Sequence, residues 1–464
     1  MTAKERVKGR KIGIVGMARS GMAAARLIRN LGGTPFVTDT KTVEQLTQEI
    51  ADLEALRIDH EFGGHTDRIL ESDFVIISPG VPLTAPIVQK IQQAGIPIFS
   101  EIELASWYCR APIVAITGSN GKTTTTTLVG EILGAAGLAA VVCGNIGYPF
   151  SDAVINIPEN GVAVLEVSSF QLELIEEFRP HIAMILNLTP DHLDRYEDFA
   201  GYCKAKYRIA ENMQDNDWLI LNADDHVISQ NGIKTKAQKI HFSITRTLPA
   251  GVFQRGETLV GSVGSEKTPI IDVKDIRIPG PHNLQNAAAA ALAALLLGVE
   301  PRIIGESLRI FPGVEHRMEA VDTVAGIRFI NDSKATNVDS VCYALRSVDA
   351  PVVLIAGGRE KGGSYAPIID VGKGKIKEIV LIGEGRENMF EALGKSFPVQ
   401  FASSMEEAVT TAFGAASPGE IVMLSPACAS FDMFRNYEHR GEIFKKAVAK
   451  LKTEKPDMAE NSTR

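Results

Sequence analysis

The segment Gly118-Ser-Asn-Gly-Lys-Thr-Thr124 places two glycines, a cation and hydroxyls directly after the apolar run Ile113-Val-Ala-Ile-Thr117. That combination suits phosphate. Glycines let backbone N–H groups approach the anion, a helix starting after the loop adds positive potential, Lys122 reaches the terminal phosphates, and Thr123 can ligate Mg²⁺. The loop is shorter than the general Gly-x4-Gly-Lys-[Ser/Thr] form, because Ile116 stands where that form has its first glycine. Glu166 ends a second apolar run and offers the hard oxygen that Mg²⁺ prefers. Asp191, His192 and Asp194 follow a third, so these groups are expected on one rim, at the strand ends where parallel sheets bind ligands. Lys204 and Lys206 come next on a predicted helix, where a solvated lysine is the plain reading of each.

These groups need a scaffold, and the apolar runs supply one. Lys11–Gly16, Thr34–Asp39, Asp73–Ser78 and Ile96–Ser100 alternate with amphipathic segments, the pattern of a parallel α/β unit. A second unit opens at Ile113 and continues through Gly161–Glu166 and Ile182–Asn187. Between Ile240 and Ile278 the runs shorten around Gly251 and Gly261, which predicts a small antiparallel insert. A third α/β series follows Phe311-Pro-Gly313, with strands near Arg328–Asn331, Val352–Ala356, Glu378–Ile382 and Ile421–Leu424. Domain boundaries are expected near 102 and 311. Ala287 to Val299 is apolar but well short of the roughly 20 residues that cross a bilayer, so it reads as a buried core helix.

With 464 residues, 45% of them hydrophobic and 22% charged, the chain suits several folded domains. Its net charge of -8 excludes a general nucleic-acid footprint while leaving room for local basic sites. The five cysteines are scattered and form no Cys-x-x-Cys pair, which argues against a disulfide framework or a zinc site and fits a reducing compartment. The N-terminal apolar run is too short for a signal peptide, so a cytoplasmic protein with no membrane partner is expected. The polar tail from Lys452 to Arg464 is expected to be disordered.

Gly16-Met-Ala-Arg-Ser-Gly21 joins the first strand to the first helix, and Asp39 closes the second strand. The turn is similar to a dinucleotide fingerprint but lacks glycine at position 18, where close approach to a pyrophosphate needs it. A nicotinamide oxidoreductase would use this turn and leave the Gly118 loop unexplained. A nucleotide-dependent switch would use the Gly118 loop and leave the region of Lys334, Thr336 and Ser430 unexplained.

Taken together, the motifs resemble the Mur ligase family over nearly the whole chain. The resemblance rests on Thr117–Thr124, Gly144-Asn-Ile-Gly147, Glu166-Val-Ser-Ser-Phe-Gln-Leu-Glu173, Asp191-His-Leu-Asp-Arg-Tyr196, His282-Asn-Leu-Gln-Asn286, Glu315-His-Arg317, Asn331-Asp-Ser-Lys-Ala-Thr-Asn337 and Ser425-Pro-Ala-Cys-Ala-Ser-Phe-Asp432. Two of these look like the member that adds D-glutamate to UDP-N-acetylmuramoyl-L-alanine, through an acyl phosphate, in peptidoglycan precursor synthesis. The resemblance implies an α/β protein of three domains. They are a Rossmann-like N-terminal domain (1–102) for the UDP part, a central P-loop ATPase (103–311) carrying the insert, and a Rossmann-like C-terminal domain (312–464) for the amino acid.

By the same resemblance, Arg19, Ser20, Asp39, Thr40, Lys41, Gly80 and Asn145 would hold the UDP-sugar substrate. Gly118, Ser119, Asn120, Gly121, Lys122, Thr123, Thr124, Asn283, Asn286, Arg317 and Asp332 would bind ATP. Lys334, Thr336, Lys361, Ser430 and Tyr437 would bind D-glutamate, with Tyr437 where relatives often have Phe. Thr123 and Glu166 would hold one Mg²⁺, and His192 and Lys206 a second. An ammonium has no lone pair to ligate a metal, so Lys206 would first take up CO2 as a carbamate, with Lys204 as the alternative. Lys122, Glu166, His192 and Lys206 would be the catalytic set, His192 also being a candidate acceptor for the amine proton. A monomer is expected.

Overall fold

The computed structural model describes residues 3–192, 195–230, 232–264, 266–361 and 363–454. Its strands form three sheets, each built from the apolar runs above. The first contains β1 (Lys11–Val15), β2 (Thr34–Asp39), β3 (Asp59–Phe62), β4 (Phe74–Ile77) and β5 (Ile98–Ser100), all parallel, in the order β3-β2-β1-β4-β5. β1 and β4 are almost wholly buried, as strands covered by helices on both faces must be.

The second sheet contains β6 (Ile113–Thr117), β7 (Ala140–Gly144), β8 (Val162–Glu166), β9 (Ile182–Ile185), β10 (Trp218–Asn222), β11 (Gln238–Ser243), β12 (Gly251–Arg255), β13 (Thr258–Ser262) and β14 (Thr268–Asp272). Their order is β14-β13-β12-β11-β10-β9-β6-β8-β7. β6, β8 and β9 therefore lie side by side, and their C-terminal ends carry the Gly118 loop, Glu166 and the run toward Asp191. The antiparallel strands β12, β13 and β14 extend this sheet through the parallel pair β11 and β12, so the insert continues the sheet instead of standing apart from it. Ala287 to Ala294 of helix Pro281–Leu296 have no exposed surface, as expected of a core helix.

The third sheet contains β15 (Glu319–Val324), β16 (Ile327–Asn331), β17 (Val352–Gly357), β18 (Ile376–Ile382), β19 (Val399–Phe401) and β20 (Ile421–Leu424), ordered β15-β16-β20-β17-β18-β19. β20 lies between β16 and β17, and only β15 is antiparallel. The strand order reverses there, and the crevice outside such a switch point is where open α/β sheets bind ligands.

Two compact units result. One comprises Met1–Leu188, Asp198–Ile276 and Gln285–Phe311; the other comprises Thr189–Glu197, Arg277–Leu284 and Pro312–Arg464. The first two sheets thus belong to one unit, and a continuous apolar cluster from Ile12 and Phe74 to Ala115 and Ile185 joins them. The polar tail departs from expectation at its start. Lys452 to Glu454 complete helix Tyr437–Glu454, where Lys452 pairs with Asp322 at 2.9 Å; residues 455–464 lie outside the described set. All five cysteines are free. Among the described residues, no helix is long and apolar enough to cross a membrane.

Candidate active site

In the first unit, β6 runs into the Gly118 loop and helix Lys122–Ala135 begins at its end. Gly121 sits at φ +81°, where glycine is favoured, and a Cβ there would lie 2.3 Å from Asn286 Oδ1 and displace that side chain. Asn286 also accepts from Thr125 Oγ1 at 3.3 Å, which places this expected ATP residue against the loop. Lys122 Nζ donates to the Gly118 and Ser119 carbonyls, at 2.8 Å each.

Glu166, 2% exposed, organises the other side. Its Oε2 accepts from Thr123 Oγ1 at 2.7 Å and its Oε1 from Asn145 Nδ2 at 2.8 Å. A hydroxyl and a carboxylate meeting beside a phosphate loop form an all-oxygen donor set that fits Mg²⁺. Lys206 separates cleanly from Lys204. Lys204 is exposed, whereas Lys206 is 1% exposed and its Nζ donates to Gly118 O at 2.8 Å. The Lys122 and Lys206 ammonium groups therefore share one carbonyl oxygen, a close approach of like charges that conversion of Lys206 to an anion would turn into attraction.

The expected UDP-sugar residues gather at the ends of β1 and β2. Asp39 accepts from the Met17 and Lys41 backbone N–H groups, at 2.5 and 2.9 Å, and so fixes the turn that carries Arg19 and Ser20. Gly21 permits this turn, since a Cβ there would lie 2.1 Å from Gly16 O. Arg19 donates to Gly147 O at 3.1 Å, and Ser20 Oγ stands 3.4 Å from Ser78 Oγ. Thr40, Lys41 and Gly80 are exposed on the same edge. Asn145 bonds Glu166 through both side chain and backbone, linking the expected UDP-sugar residues to the carboxylate beside the Gly118 loop.

In the second unit, Asn283 and Arg317 line a cavity of about 1030 Å³. Asp332 is buried beside Ser425, whose hydroxyl donates to it at 2.8 Å. Burial pushes its carboxyl up to about 7, against the opposing pull of Ser425 and Arg317. A second cavity, of about 310 Å³, brings together Asp191, His192, Thr336 and Lys361. There Lys361 Nζ donates to Thr336 Oγ1 at 3.2 Å, and Asn337 Nδ2 donates to Asp191 Oδ2 at 3.3 Å. His192 holds φ +55°, a conformation that non-glycine residues adopt mainly where surrounding structure imposes it. Lys334 is not among this cavity's lining residues; its ammonium sits 3.7 Å from the Tyr437 ring centroid. Ser430 is 2% exposed on the loop after β20. Asp194 lies outside the described residues.

Three residues escaped the sequence reading. Asn187 holds the Asn120 backbone from both sides, at 2.8 and 3.1 Å, and Tyr202 Oη meets Ser119 Oγ at 3.1 Å. Arg440, with no exposed surface, donates to Ser333 Oγ and to the Ser333 and Cys428 carbonyls, tying two loops of the second cavity's unit together. Burial lowers its guanidinium to about 10. Asn187 stands in the segment after β9, and Tyr202 and Arg440 on helices of mixed polarity, Phe199–Tyr207 and Tyr437–Glu454, where a single polar residue leaves no periodic signal; only the nearness of Tyr202 to Lys206 in sequence hinted at one of the three.

Comparison with known proteins agrees with this geometry in all three sheets. Residues 10–100 match the family described as Mur ligase MurD-like, N-terminal domain; 116–294 match Mur ligase middle domain; 316–428 match Mur ligase, glutamate ligase domain. The UDP-N-acetylmuramoylalanine--D-glutamate ligase of Chloroherpeton thalassium is 43% identical over 96% of this chain and 99% of its own length. Its namesake in Salinibacter ruber is 44% identical over 97% of this chain and 100% of its own. Among solved structures, the UDP-N-acetylmuramate-alanine ligase of Thermotoga maritima shares the fold, with a TM-score of 0.60 at 20% identity, covering 96% of this chain and 100% of the other. With full-length relatives at this identity and each domain matched in order, the chain belongs to the Mur ligase family.

Proposed function

We propose that this chain catalyses the ATP-dependent joining of D-glutamate to UDP-N-acetylmuramoyl-L-alanine, forming an amide bond in a peptidoglycan precursor. The observation that carries the reading is the arrangement around Gly118, with Lys122 on the loop carbonyls, Thr123 bonded to Glu166, and a buried Lys206 beside them. The substrates follow from the names of relatives more than 40% identical over nearly the full chain.

The alanyl carboxylate attacks the γ-phosphate of ATP, ADP leaves, and an acyl phosphate remains. Lys122 and the N-terminus of helix Lys122–Ala135 neutralise charge as it moves onto the leaving phosphate. Thr123 and Glu166 would hold Mg²⁺, which supplies further charge neutralisation on the phosphates. A carbamate on Lys206 would offer carboxylate oxygens for a second ion. Arg19, Lys41 and the turn fixed by Asp39 would hold the UDP-sugar. The amine of D-glutamate then attacks the acyl carbon, and the tetrahedral intermediate collapses with loss of phosphate. Thr336 and Lys361 would hold the amino acid in the 310 Å³ cavity, with His192 on the wall where the amine's proton must be accepted.

The test supplies ATP, Mg²⁺, UDP-N-acetylmuramoyl-L-alanine and a panel of amino acids, then follows phosphate release and product mass. D-glutamate-dependent phosphate release with a product heavier by one glutamyl group is expected. Phosphate release indifferent to D-glutamate, with no such product, overturns the reading.

A further inference from the structure

The wall of the 310 Å³ cavity carries a hydrogen-bonded chain with no role in the chemistry above. Tyr365 lines the cavity, half-buried, with its hydroxyl 2.8 Å from Glu360 Oε1 and 3.4 Å from Cys428 Sγ. A carboxylate only accepts, so the phenol donates to Glu360 and its oxygen is left to accept from the Cys428 thiol. Both donors keep their protons. Burial, then Cys428 and Glu360, hold the phenol well above its ordinary value, and burial pushes the thiol up to about 11. The other oxygen of Glu360 accepts from Asn388 Nδ2 at 2.7 Å, which fixes the carboxylate from behind.

The two ends of this chain lie on different loops. Glu360 directly precedes Lys361 on the loop after β17, and Cys428 stands two residues before Ser430 on the loop after β20. The same loops are joined through their backbones where Gly357 donates to Pro426 O at 2.9 Å and where Arg359 and Ala429 exchange hydrogen bonds of 2.9 and 2.8 Å. These bonds reach Arg359 and stop two residues short of Lys361. The tether through Tyr365 joins the loops again on the other side of Lys361 in sequence.

We infer that Tyr365 is a positioning residue which, acting through Glu360 and Cys428, fixes Lys361 relative to Thr336 and the Ala427 wall of the cavity and so sets the length of amino-acid dicarboxylate the cavity accepts. The inference rests on the reading of this cavity as the amino-acid site. Two carboxylates separated by a set number of methylenes are discriminated by donors at a fixed separation; donors on loops free to drift accept neighbouring lengths almost equally.

Tyr365→Phe keeps the ring and the cavity wall and deletes only the hydroxyl. In steady-state assays we expect its KM for D-glutamate to rise roughly 5- to 10-fold, while kcat and the KM for ATP stay within about twofold. The preference in kcat/KM for D-glutamate over D-aspartate, one methylene shorter, should fall several-fold. Glu360→Gln, at an exposed position, should shift the same two quantities in the same direction, and Cys428→Ser, which keeps a donor, should stay near the parent. An unchanged KM and chain-length preference in Tyr365→Phe overturns the inference, as does an equal loss on every substrate accompanied by a fall in Tm. A parent enzyme that releases no phosphate with D-glutamate overturns the underlying functional reading, and this inference with it, before any variant is compared.

Discussion

Glu101 is a carboxylic acid sealed in the first unit, where its Oε1 accepts from the Ser151 backbone at 2.5 Å and its Oε2 is buried without a hydrogen-bond partner. Burial raises its pKa from 4.5 to about 7, despite the Ser151 contacts. Below pH 4.5 the folded and unfolded states both carry the proton. Between 4.5 and 7 only the unfolded state ionises, so stability falls across that window by up to about 3 kcal/mol and stays lower above it. Glu101→Gln should therefore be the more stable protein at pH 7.5 and lose that advantage near pH 4.5, which urea titrations at both values will measure. A difference that ignores pH would mean that the carboxyl is charged in the folded protein. Lys206 allows a second test at this scale. Lys206→Arg keeps a cation near Gly118 but cannot form a carbamate, so activity should fall by about 100-fold or more while the fold stays intact. In parallel, ¹³C-bicarbonate should give a carbamate resonance in the parent that the variant lacks. Phosphate release at the parental rate in the variant would remove the carbamate from the mechanism.

At the level of single elements, the loop and helix that grip phosphate depend on Gly121 in a way their neighbours do not. Gly121→Ala would force a methyl to within 2.3 Å of Asn286 Oδ1 at φ +81°, so either the Asn286 carboxamide or the start of helix Lys122–Ala135 must shift. We expect a loss of about 1–3 kcal/mol in stability and at least a roughly tenfold fall in affinity for a non-hydrolysable ATP analogue. Gly134→Ala is the control on the same helix. A Cβ there has open space, so it should gain about 0.5 kcal/mol and leave nucleotide affinity unchanged. Calorimetry on the two variants separates them, and equal affinities would show that the loop tolerates the shift. Elements also show what the sequence makes legible. β2, β6 and β20 match their apolar runs end to end, because both faces of a parallel strand are buried and every residue reports it. β3, β15 and β19 escape that logic: they are edge strands whose side chains are mostly half-buried or exposed, and Asp59-His-Glu-Phe62 carries no alternation strong enough to read. The site divides along the same line. Glu166 and the Gly118 loop stand at strand ends that the runs locate, whereas Asn187, Tyr202 and Arg440 act through contacts distant in sequence, which no local pattern records.

Within the first unit, the family boundaries and the packing divide the chain differently. The first two sheets match separate family domains, yet their apolar residues form one cluster, and polar contacts bind them further. Glu103, on the helix after β5, accepts from the backbone N–H groups of Glu176, Glu177 and Phe178, at 2.8 to 2.9 Å, and from Trp107 Nε1 at 2.7 Å. Arg26 pairs bidentately with Asp152, at 3.0 and 2.7 Å. Three backbone donors satisfied by one buried carboxylate cannot be released singly, since each orphaned N–H costs about 1–3 kcal/mol. The two sheets should therefore unfold as one cooperative body. The two tryptophans make this measurable, because Trp107 packs edge-on against Phe74 and Phe99 of the first sheet while Trp218 opens β10 of the second. In Trp218→Phe, fluorescence reports on the surroundings of Trp107 alone, and hydrogen exchange in the same protein follows the amides of β6, β9 and β10. Their urea midpoints should coincide. Midpoints separated by more than about 0.5 M would show that the first sheet unfolds independently, and that the shared cluster contributes less to cohesion than the core within each sheet.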